Sequence, residues 1–472
     1  RIRSRNLGFF EDVAFEPRAT DDPSLLDLDV TVTERPTGSF SFGAGFSSQD
    51  RLVLTAALSQ ANLFGSGIGV NLSADVGGRT NRFYFSVQDP YFLDSTFSFG
   101  TTVFLTDVRF QDFEQQQTGF DVSFGHALRE DNTARLFVRY GYSRREVRQD
   151  TSVNAGAVIF REILQGNESS SVVGASYRAD TRDDRFAPTM GNVSGINVDY
   201  AGLGGFANYL RIEGRYAHYF GAPDWMPDRS TFVFSTRLGW TIPFNVIDDF
   251  EFRLNDVAGC AVPGDCTNVA PLNQIDTDVR LPLTERYFLG GVGTFQLRGF
   301  KARSVGPRRA ILKRSGIVGG GDLFLPVGRQ IEDRNTKSVG ICNDVRGGSV
   351  NNQGNGNGRC NSLTDRKISD FDDLNETDVI GGNKFITTSF EYRFPISDEV
   401  GLQGVLFADM GNAFDETENN LFNVNEWRYG VGGGVLWFSP FGPLQVVLGF
   451  PLDPLSIEDS PVFEFSVGGA GL

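Results

Sequence analysis

The stretch ARLFVRYGYS, Ala134 to Ser143, alternates between two kinds of side chain. Apolar residues at positions 136, 138, 140 and 142 fall on one face of an extended chain, and Arg135, Phe137 and Arg139 fall on the other. A period of two residues is typical of a β-strand with one apolar and one polar face. The stretch therefore predicts a strand that separates an apolar environment from a polar one.

The same alternation recurs along most of the chain, in segments of roughly ten residues separated by turn residues. Examples are RFYFSVQDP, TFVFSTRLGW and ITTSFEYRF. The apolar faces are rich in Phe, Tyr and Trp, which favours lipid outside and a polar lumen over a soluble sandwich, because only a closed sheet satisfies its backbone in hydrocarbon. We predict an all-β fold, a transmembrane antiparallel β-barrel of about 16 strands.

The overall composition excludes several classes of protein. The chain has 472 residues, with 43 Lys and Arg against 59 Asp and Glu, and a net charge of −16. No run approaches the roughly 18 consecutive apolar residues of a transmembrane helix, which excludes a helical membrane protein. The acidic balance argues against nucleic acid as a partner. His126 and His218 have no Ser or Asp motif at a plausible spacing, and we predict no enzymatic activity, cofactor or metal site.

Connections between the predicted strands alternate between short and long, and the longest runs from about residue 243 to about residue 380. Short turns of outer-membrane barrels face the periplasm and long loops face outward, so we predict a periplasmic N-terminus and an extracellular position for this loop. A connection of that length is either functional or disordered. Its part LPLTERYFLGGVGTFQLRGF lacks compositional bias, and we expect this part to be ordered.

Four cysteines fall within the long loop as two local pairs. Neither pair has C-x-x-C spacing and the two histidines lie far away in sequence, which disfavours zinc. We predict the disulfides Cys260–Cys266 and Cys342–Cys360, and hence an oxidising compartment, with free thiols as the open alternative.

Residues 1–36 form a separate unit before the barrel of residues 37–472. The opening RIRSRNLGFFEDV has the pattern of a helix end that leads into a strand, and EDVAFEPRAT and LLDLDVTVTERP predict a strand pair. Pro36 and Gly38 mark the junction with the barrel. Because the chain starts within an element, we expect the native protein to extend further toward the N-terminus.

The first and last predicted strands contain glycine where they would meet, in SFSFGAGFSS and SPVFEFSVGGAGL. Glycine weakens a strand and permits a kink, so we expect the seam between these strands to be the least stable part of the barrel. The alternative is that these glycines only let the two strands taper to fit the curvature of the barrel. An opened seam would expose N–H and C=O groups as a template for an incoming strand. The positions of this predicted lateral gate are Ser39, Phe40, Phe42, Gly43, Phe463, Phe465, Val467, Gly468 and Gly469.

Six motifs follow one another along the chain: NLGFFEDV, VTERPTGSFSFGAGF, DPYF, FLGGVGTFQLRGF, FADMGNAFD and GVLWFSPFGPL. In this order they resemble the BamA family of Gram-negative outer-membrane β-barrel assembly proteins. The resemblance covers essentially the whole chain. It implies a sixteen-stranded barrel preceded by α/β POTRA domains in the periplasm, with residues 1–36 similar to the tail of the last one.

The resemblance also assigns the R-G-F motif. In that family this motif of the long sixth extracellular loop folds back into the lumen, where its arginine contacts acidic residues on the inner wall. Carried over to this sequence, the motif is Arg298, Gly299 and Phe300, and the acidic partners are Glu391 and Asp409. Both acids fall on the polar face of their predicted strands, so the alternation agrees with this assignment.

As a function, the resemblance implies an outer-membrane insertase that folds and inserts β-barrel proteins through a lateral gate between the first and last strands, without covalent chemistry. The implied partners are unfolded outer-membrane protein clients, accessory assembly lipoproteins bound through POTRA domains, and the lipid bilayer with its lipopolysaccharide. The alternatives are a related translocation or secretion transporter of the same superfamily and a passive porin. A porin predicts an open lumen and a well-paired closing seam.

Overall fold

A computed structural model describes residues 10–19, 26–34, 36–47, 51–109, 114–129, 131, 133–148, 155–156, 167–184, 188–205, 207–223, 225–244, 281–293, 295–318, 321–326, 359–360, 377–397, 399–414, 424–439, 442–455 and 457–467. Within these ranges no helix is long and apolar enough to cross a membrane. The described helices are the 3-10 turns Leu63–Gly65, Phe92–Asp94, Leu283–Glu285 and Val424–Glu426.

Three of the four cysteines, Cys260, Cys266 and Cys342, lie outside the described residues, and only the backbone of Cys360 lies within them. The two predicted disulfides therefore stay predictions.

The first two strands form a sheet of their own. Strands β1 (Phe10–Ala19) and β2 (Leu26–Glu34) pair antiparallel and are not part of the barrel, so the predicted strand pair is present. The first barrel strand begins at Gly38, two residues beyond Pro36. Proline has no N–H to give to a strand ladder, which suits a junction between two sheets.

Most of the remaining strands are long enough to cross a bilayer when tilted. They are β3 (Gly38–Ser47), β4 (Arg51–Gln60), β5 (Gly69–Gly77), β6 (Thr80–Asp89), β7 (Phe97–Arg109), β8 (Glu114–Ala127), β9 (Ala134–Arg148), β10 (Ala155–Gly156), β11 (Asn167–Asp180), β12 (Gly191–Gly205), β13 (Tyr209–Gly221), β14 (Thr231–Pro243), β15 (Arg308–Val318), β16 (Gly321–Pro326), β17 (Arg359–Cys360), β18 (Thr377–Val379), β19 (Lys384–Ser397), β20 (Leu402–Phe414), β21 (Arg428–Ser439), β22 (Gly442–Pro451) and β23 (Val462–Val467).

Sixteen of these strands form one ring, in which each strand pairs with its neighbour in the chain order β3–β9, β11–β14 and β19–β23. The short strand β10 and strands β15–β18 form a separate small sheet. An even number of antiparallel strands in sequential order is the pattern of an up-and-down membrane barrel. The predicted fold class and strand number are confirmed.

Burial in β9 follows the predicted alternation. Leu136, Val138 and Tyr140 are exposed on the outer surface, whereas Arg135 and Phe137 on the other face are half-buried. An outer wall of exposed apolar side chains is what contact with lipid requires.

The buried core lies inside the barrel, where residues 281–307, between β14 and β15, pack against the inner faces of the strands. Tyr287, Leu289 and Leu297 of this segment form an apolar cluster with Phe385 and Ala413 of the wall. The core is therefore made jointly by this loop segment and the inner faces of the barrel strands. We call residues 281–307 the lumenal segment.

Candidate functional site

Arg298 lies in the lumenal segment with a side chain that is 2% exposed. Its Nε donates to Oδ2 of Asp409 at 2.8 Å and its Nη2 donates to Oδ1 at 2.7 Å, a bidentate pairing that fixes the plane of the guanidinium. The Nη2 atom also lies 2.8 Å from Oε1 of Glu391 and donates to Oγ of Ser389 at 2.8 Å. The structure thus brings the arginine and both acids of the sequence analysis together.

The charges around Arg298 balance. A second cation, Arg393, has its Nη2 2.6 Å from Oε2 of Glu391, so two arginines face two carboxylates. The backbone N–H of Arg298 adds a hydrogen bond to Asp409 at 2.9 Å. Burial acts to lower the pKa of Arg298, but the charges of Glu391 and Asp409 outweigh it and raise the pKa above its ordinary value. The guanidinium stays charged, and a buried charge of this kind needs the partners it has.

Two neighbours of this ion pair were not identified from the sequence. Ser389 is the register partner of Asp409 on the adjacent strand and donates to its Oδ1 at 2.6 Å. The ring of Phe407, two residues before Asp409, lies under the guanidinium at 3.9 Å from its centroid, a cation–π geometry. Both residues share a face with an acid that was identified, and this shared face is the signal in the sequence that could have found them.

Three glycines let the backbone of the motif lie directly on the barrel wall. Gly299 has φ +96° and lies over Gly430 of β21. A Cβ added to Gly299 would lie 3.3 Å from the Cα of Gly430. A Cβ on Gly430 would overlap the carbonyl oxygen of Arg298, and a Cβ on Gly449 of β22 would lie 2.5 Å from the nitrogen of Gly299. Only glycine permits both this φ and this approach.

Phe300 completes the motif and is 1% exposed. It belongs to the apolar cluster of the lumenal segment, and the guanidinium of Arg428 lies 4.8 Å from its ring centroid. Arg428 is itself held by Glu458, at 2.5 Å from Oε2, and by the carbonyl of Asp453 at 3.1 Å. A second buried ion pair, Arg428 with Glu458, therefore contacts the motif through Phe300.

The lumenal segment has another attachment, at Glu285, which the sequence analysis did not identify. Its Oε2 accepts from the hydroxyl of Tyr209 at 2.8 Å and from Nη2 of Arg211 at 2.7 Å, and its Oε1 pairs with Arg145. These partners lie on β9 and β13. The segment is therefore held on the wall at two separated places, and the only sequence signal was an acid within an apolar stretch, LPLTERYF.

Comparison with known proteins decides the family. Residues 62–470 match the model described as the Omp85 superfamily domain. The chain belongs to the Omp85 superfamily. Among Omp85 relatives it is 24% identical over 471 residues to "Outer membrane protein assembly factor BamA" of Nitratidesulfovibrio vulgaris, covering 99% of this chain and 46% of that protein. It is 21% identical over 507 residues to the protein of the same name from Neisseria meningitidis, covering 98% of this chain and 51% of that protein.

A solved structure shows the same Omp85 fold. The crystal structure of BamA from Haemophilus ducreyi lacking POTRA domains 1–3 matches with a TM-score of 0.67 at 17% identity, over 99% of this chain and 76% of that one. The chain spans about half the length of the curated relatives it matches.

The seam of this Omp85 barrel has little pairing. Among the described residues the register between β23 and β3 consists of one pair, Ser466 with Ser47. By contrast, β22 and β23 share six register pairs, and β3 and β4 share ten. A strand held on one side only is an edge strand.

The predicted gate positions lie on the two strands of the seam but do not face one another. Phe42 pairs with Ala56 of β4, and Phe465 pairs with Val446 of β22. The other predicted positions Ser39, Phe40 and Gly43 lie in β3 and pair with β4, Phe463 and Val467 lie in β23 and pair with β22, and Gly468 and Gly469 lie outside the described residues.

Glu464 connects the lumenal segment to the last strand and was also missed from the sequence. Its side chain is buried, and its carboxylate accepts a hydrogen bond from the backbone N–H of Val292. Val292 packs on Phe407 and Val447, next to the Arg298 pair. The signal in the sequence was a single acid among apolar residues in VFEFSV, on the face opposite to its phenylalanines.

Proposed function

We propose that this protein is an outer-membrane insertase, which folds client β-barrel proteins and inserts them into the membrane through the seam between β3 and β23. The observation that carries the proposal is the single register pair at that seam. Strand edges with few ladder bonds leave N–H and C=O groups that an incoming strand can pair with. Similarity to proteins named outer membrane protein assembly factor supports the same class of function.

The lumenal segment gives the seam a fixed support. Its Arg298 joins β19 and β20 through Ser389 and Asp409, and its backbone lies on Gly430 of β21 and Gly449 of β22. The support extends to β23 through Glu464, so movement is concentrated at the junction between β23 and β3. No covalent step is required, since the folding free energy of the client drives insertion and the seam lowers the kinetic barrier.

In this proposal residues 1–36 are the end of the last POTRA domain and residues 37–472 are the barrel, with the N-terminus in the periplasm and the loop of about 243–380 outside the cell. The separate sheet of β1 and β2 supports the first boundary. Clients would arrive through preceding POTRA domains with their accessory lipoproteins, and the outer wall would contact lipid and lipopolysaccharide.

A passive porin is the competing function from another class. It requires an open lumen and a continuous seam, whereas here the lumenal segment packs into the barrel and the seam has one described pair. A related secretion transporter would share the fold, and it would move a substrate through the lumen.

The test is a folding assay in liposomes that contain the full-length protein. A urea-unfolded outer-membrane barrel is added, and its folding is followed by the shift of its band on unheated gels. We expect folding at least about tenfold faster than in empty liposomes, equal to about 1.4 kcal/mol of barrier. No acceleration, together with a large and steady ion conductance, would contradict an insertase and support a porin.

A further inference from the structure

Four arginines form a row across five neighbouring barrel strands. Arg135 of β9 is the register partner of Arg178 of β11, and Arg178 is the partner of Gly195 of β12. Gly195 is in turn the partner of Arg215 of β13, which pairs with Arg237 of β14. Register partners in an antiparallel sheet have side chains on the same face. We call these four arginines the arginine row.

The arginine row faces the lumen. Arg215 lies on the same face of β13 as Arg211, which contacts Glu285 of the lumenal segment. Arg215 is four residues farther along β13, ~13 Å at the rise of a strand. Because strands of the ring run alternately, β13 ends on the side of the barrel where β3 begins. The row therefore lies between the Glu285 attachment and the end of the barrel at which β3 begins.

Part of the positive charge of the row, on Arg178 and Arg215, has no carboxylate partner among the described residues. The charges that act on Arg178 are those of Arg215 and Arg139, both positive. Arg139 differs, because its Nη2 lies 2.7 Å from Oδ2 of Asp199. Like charges on adjacent strands repel, and a bound anion would relieve that repulsion.

The side chains of the row are held in place. A Cβ on Gly195 would lie 3.0 Å from Nε of Arg215, so this glycine leaves room for Arg215 to extend across β12 toward Arg178. The guanidinium carbons of Arg135 and Arg178 lie 5.3 Å and 5.6 Å from the ring centroid of Phe137. Donors that are already positioned lose less entropy when a ligand binds.

We propose that the arginine row binds an acidic, extended polypeptide segment inside the barrel. Five strands at ~4.8 Å spacing span ~19 Å, which an extended chain of about six residues covers. Carboxylates are the planar partners that guanidinium groups bind with two hydrogen bonds. The row lies on the inner face, whereas Tyr177 and Tyr216 face outward on the same strands, so a lumenal polypeptide fits the position better than a membrane lipid. Binding at the row does not require the seam to open.

The first test measures binding of a fluorescent hexaglutamate peptide to the full-length protein in neutral detergent, by anisotropy at low salt. We expect the double variant Arg178→Gln with Arg215→Gln to bind at least about tenfold more weakly. Arg178→Lys with Arg215→Lys should recover part of the affinity, because it keeps the charge. The matched control is Arg109→Gln, at the last residue of β7, which removes a charge from an exposed pair with Glu114. This variant should change binding less than about twofold.

A second test needs no variant. Phenylglyoxal modifies accessible arginines, and mass spectrometry gives the extent of modification at Arg178 and Arg215 with and without the peptide. We expect hexaglutamate to protect both residues and hexaglutamine to protect neither. Unchanged modification, or equal peptide binding by the double glutamine variant, would overturn the site. Protection by inorganic phosphate at equal charge would identify a small-anion site. Competition by phosphatidylglycerol micelles would identify a lipid site. Either result would overturn the polypeptide proposal.

Discussion

Arg298 holds two wall strands and the lumenal segment together through one side chain, because Ser389 lies on β19 and Asp409 lies on β20. In the variant Arg298→Ala, Glu391 keeps Arg393, but Asp409 becomes a buried carboxylate without its cation. We expect a loss of about 3–5 kcal/mol in unfolding free energy, the usual effect of breaking a buried pair. The loss of stability is measured by heating samples to a series of temperatures and following the folded band on gels that are run without boiling the samples.

The control for Arg298→Ala is Lys301→Ala, three residues away. Lys301 pairs with Asp459 at the surface, where both side chains are more than half exposed. Exposed pairs contribute about 0–1 kcal/mol, so the control should leave the transition within about a degree or two. Equal shifts for the two variants would mean that Arg298 does not act as an anchor.

Gly430 tests the approach of the motif to the wall. A methyl group in Gly430→Ala would overlap the carbonyl oxygen of Arg298, so we expect the lumenal segment to be displaced at a cost of about 1–3 kcal/mol. The rate of trypsin cleavage after Lys301 should rise about fivefold or more, because cleavage follows the population of the displaced form. Gly221→Ala is the control, because a Cβ there meets nothing within 4 Å. A cleavage rate that is the same for both variants would contradict the close approach.

The sequence predicted the residues of the Arg298 ion pair, but not the glycines and the other acids that contact the lumenal segment. Arg298 and its two acids could be named because a motif and the face of each acid were visible in the sequence. Gly430 was visible only as a glycine in GVGGG, with nothing to indicate which backbone would lie against it. Glu285 and Glu464 were missed because a contact between a loop and a distant strand depends on how the loop folds, which no local pattern encodes.

Among the elements, the last strand is joined to the lumenal segment at Glu464. Glu464→Leu removes the acceptor of the Val292 N–H, and losing a buried hydrogen bond costs about 1–3 kcal/mol. We expect the separation between spin labels at Ser47→Cys and Ser466→Cys to increase in this variant. Glu464→Gln keeps an acceptor and should retain the original distance.

The outer face of β23 provides the control for Glu464. Phe463→Leu changes a residue that is 57% exposed on that face and should leave the label distance unchanged. A distance that is unaffected by Glu464→Leu would show that the lumenal segment does not hold the last strand.

Element by element, alternation predicted which residues are strands and which face each side chain takes. It did not predict the register at the seam, where Ser47 lies opposite Ser466 of β23. The reason is that a shift of two residues along a strand leaves every side chain on its original face, so the pattern constrains the face but not the offset.

For the whole molecule, fifteen of the sixteen strand junctions are extended ladders, and one, between β23 and β3, has a single described register pair. The lumenal segment is attached to β19–β23 on one side of that junction and, through Glu285, to β9 and β13 farther round the ring. A barrel whose wall is supported from inside and has one weak junction opens at that junction first, which is the central claim of the insertase proposal.

The most direct measurement is client folding in liposomes by the full-length protein with Ser47→Cys and Ser466→Cys, oxidised and then reduced. Its control pairs Ala57→Cys with Ser73→Cys, register partners in the interior junction of β4 and β5. We predict that the oxidised seam pair stops acceleration of client folding, that reduction restores it, and that the interior pair has no effect in either state. Full acceleration with the seam completely cross-linked would contradict the account.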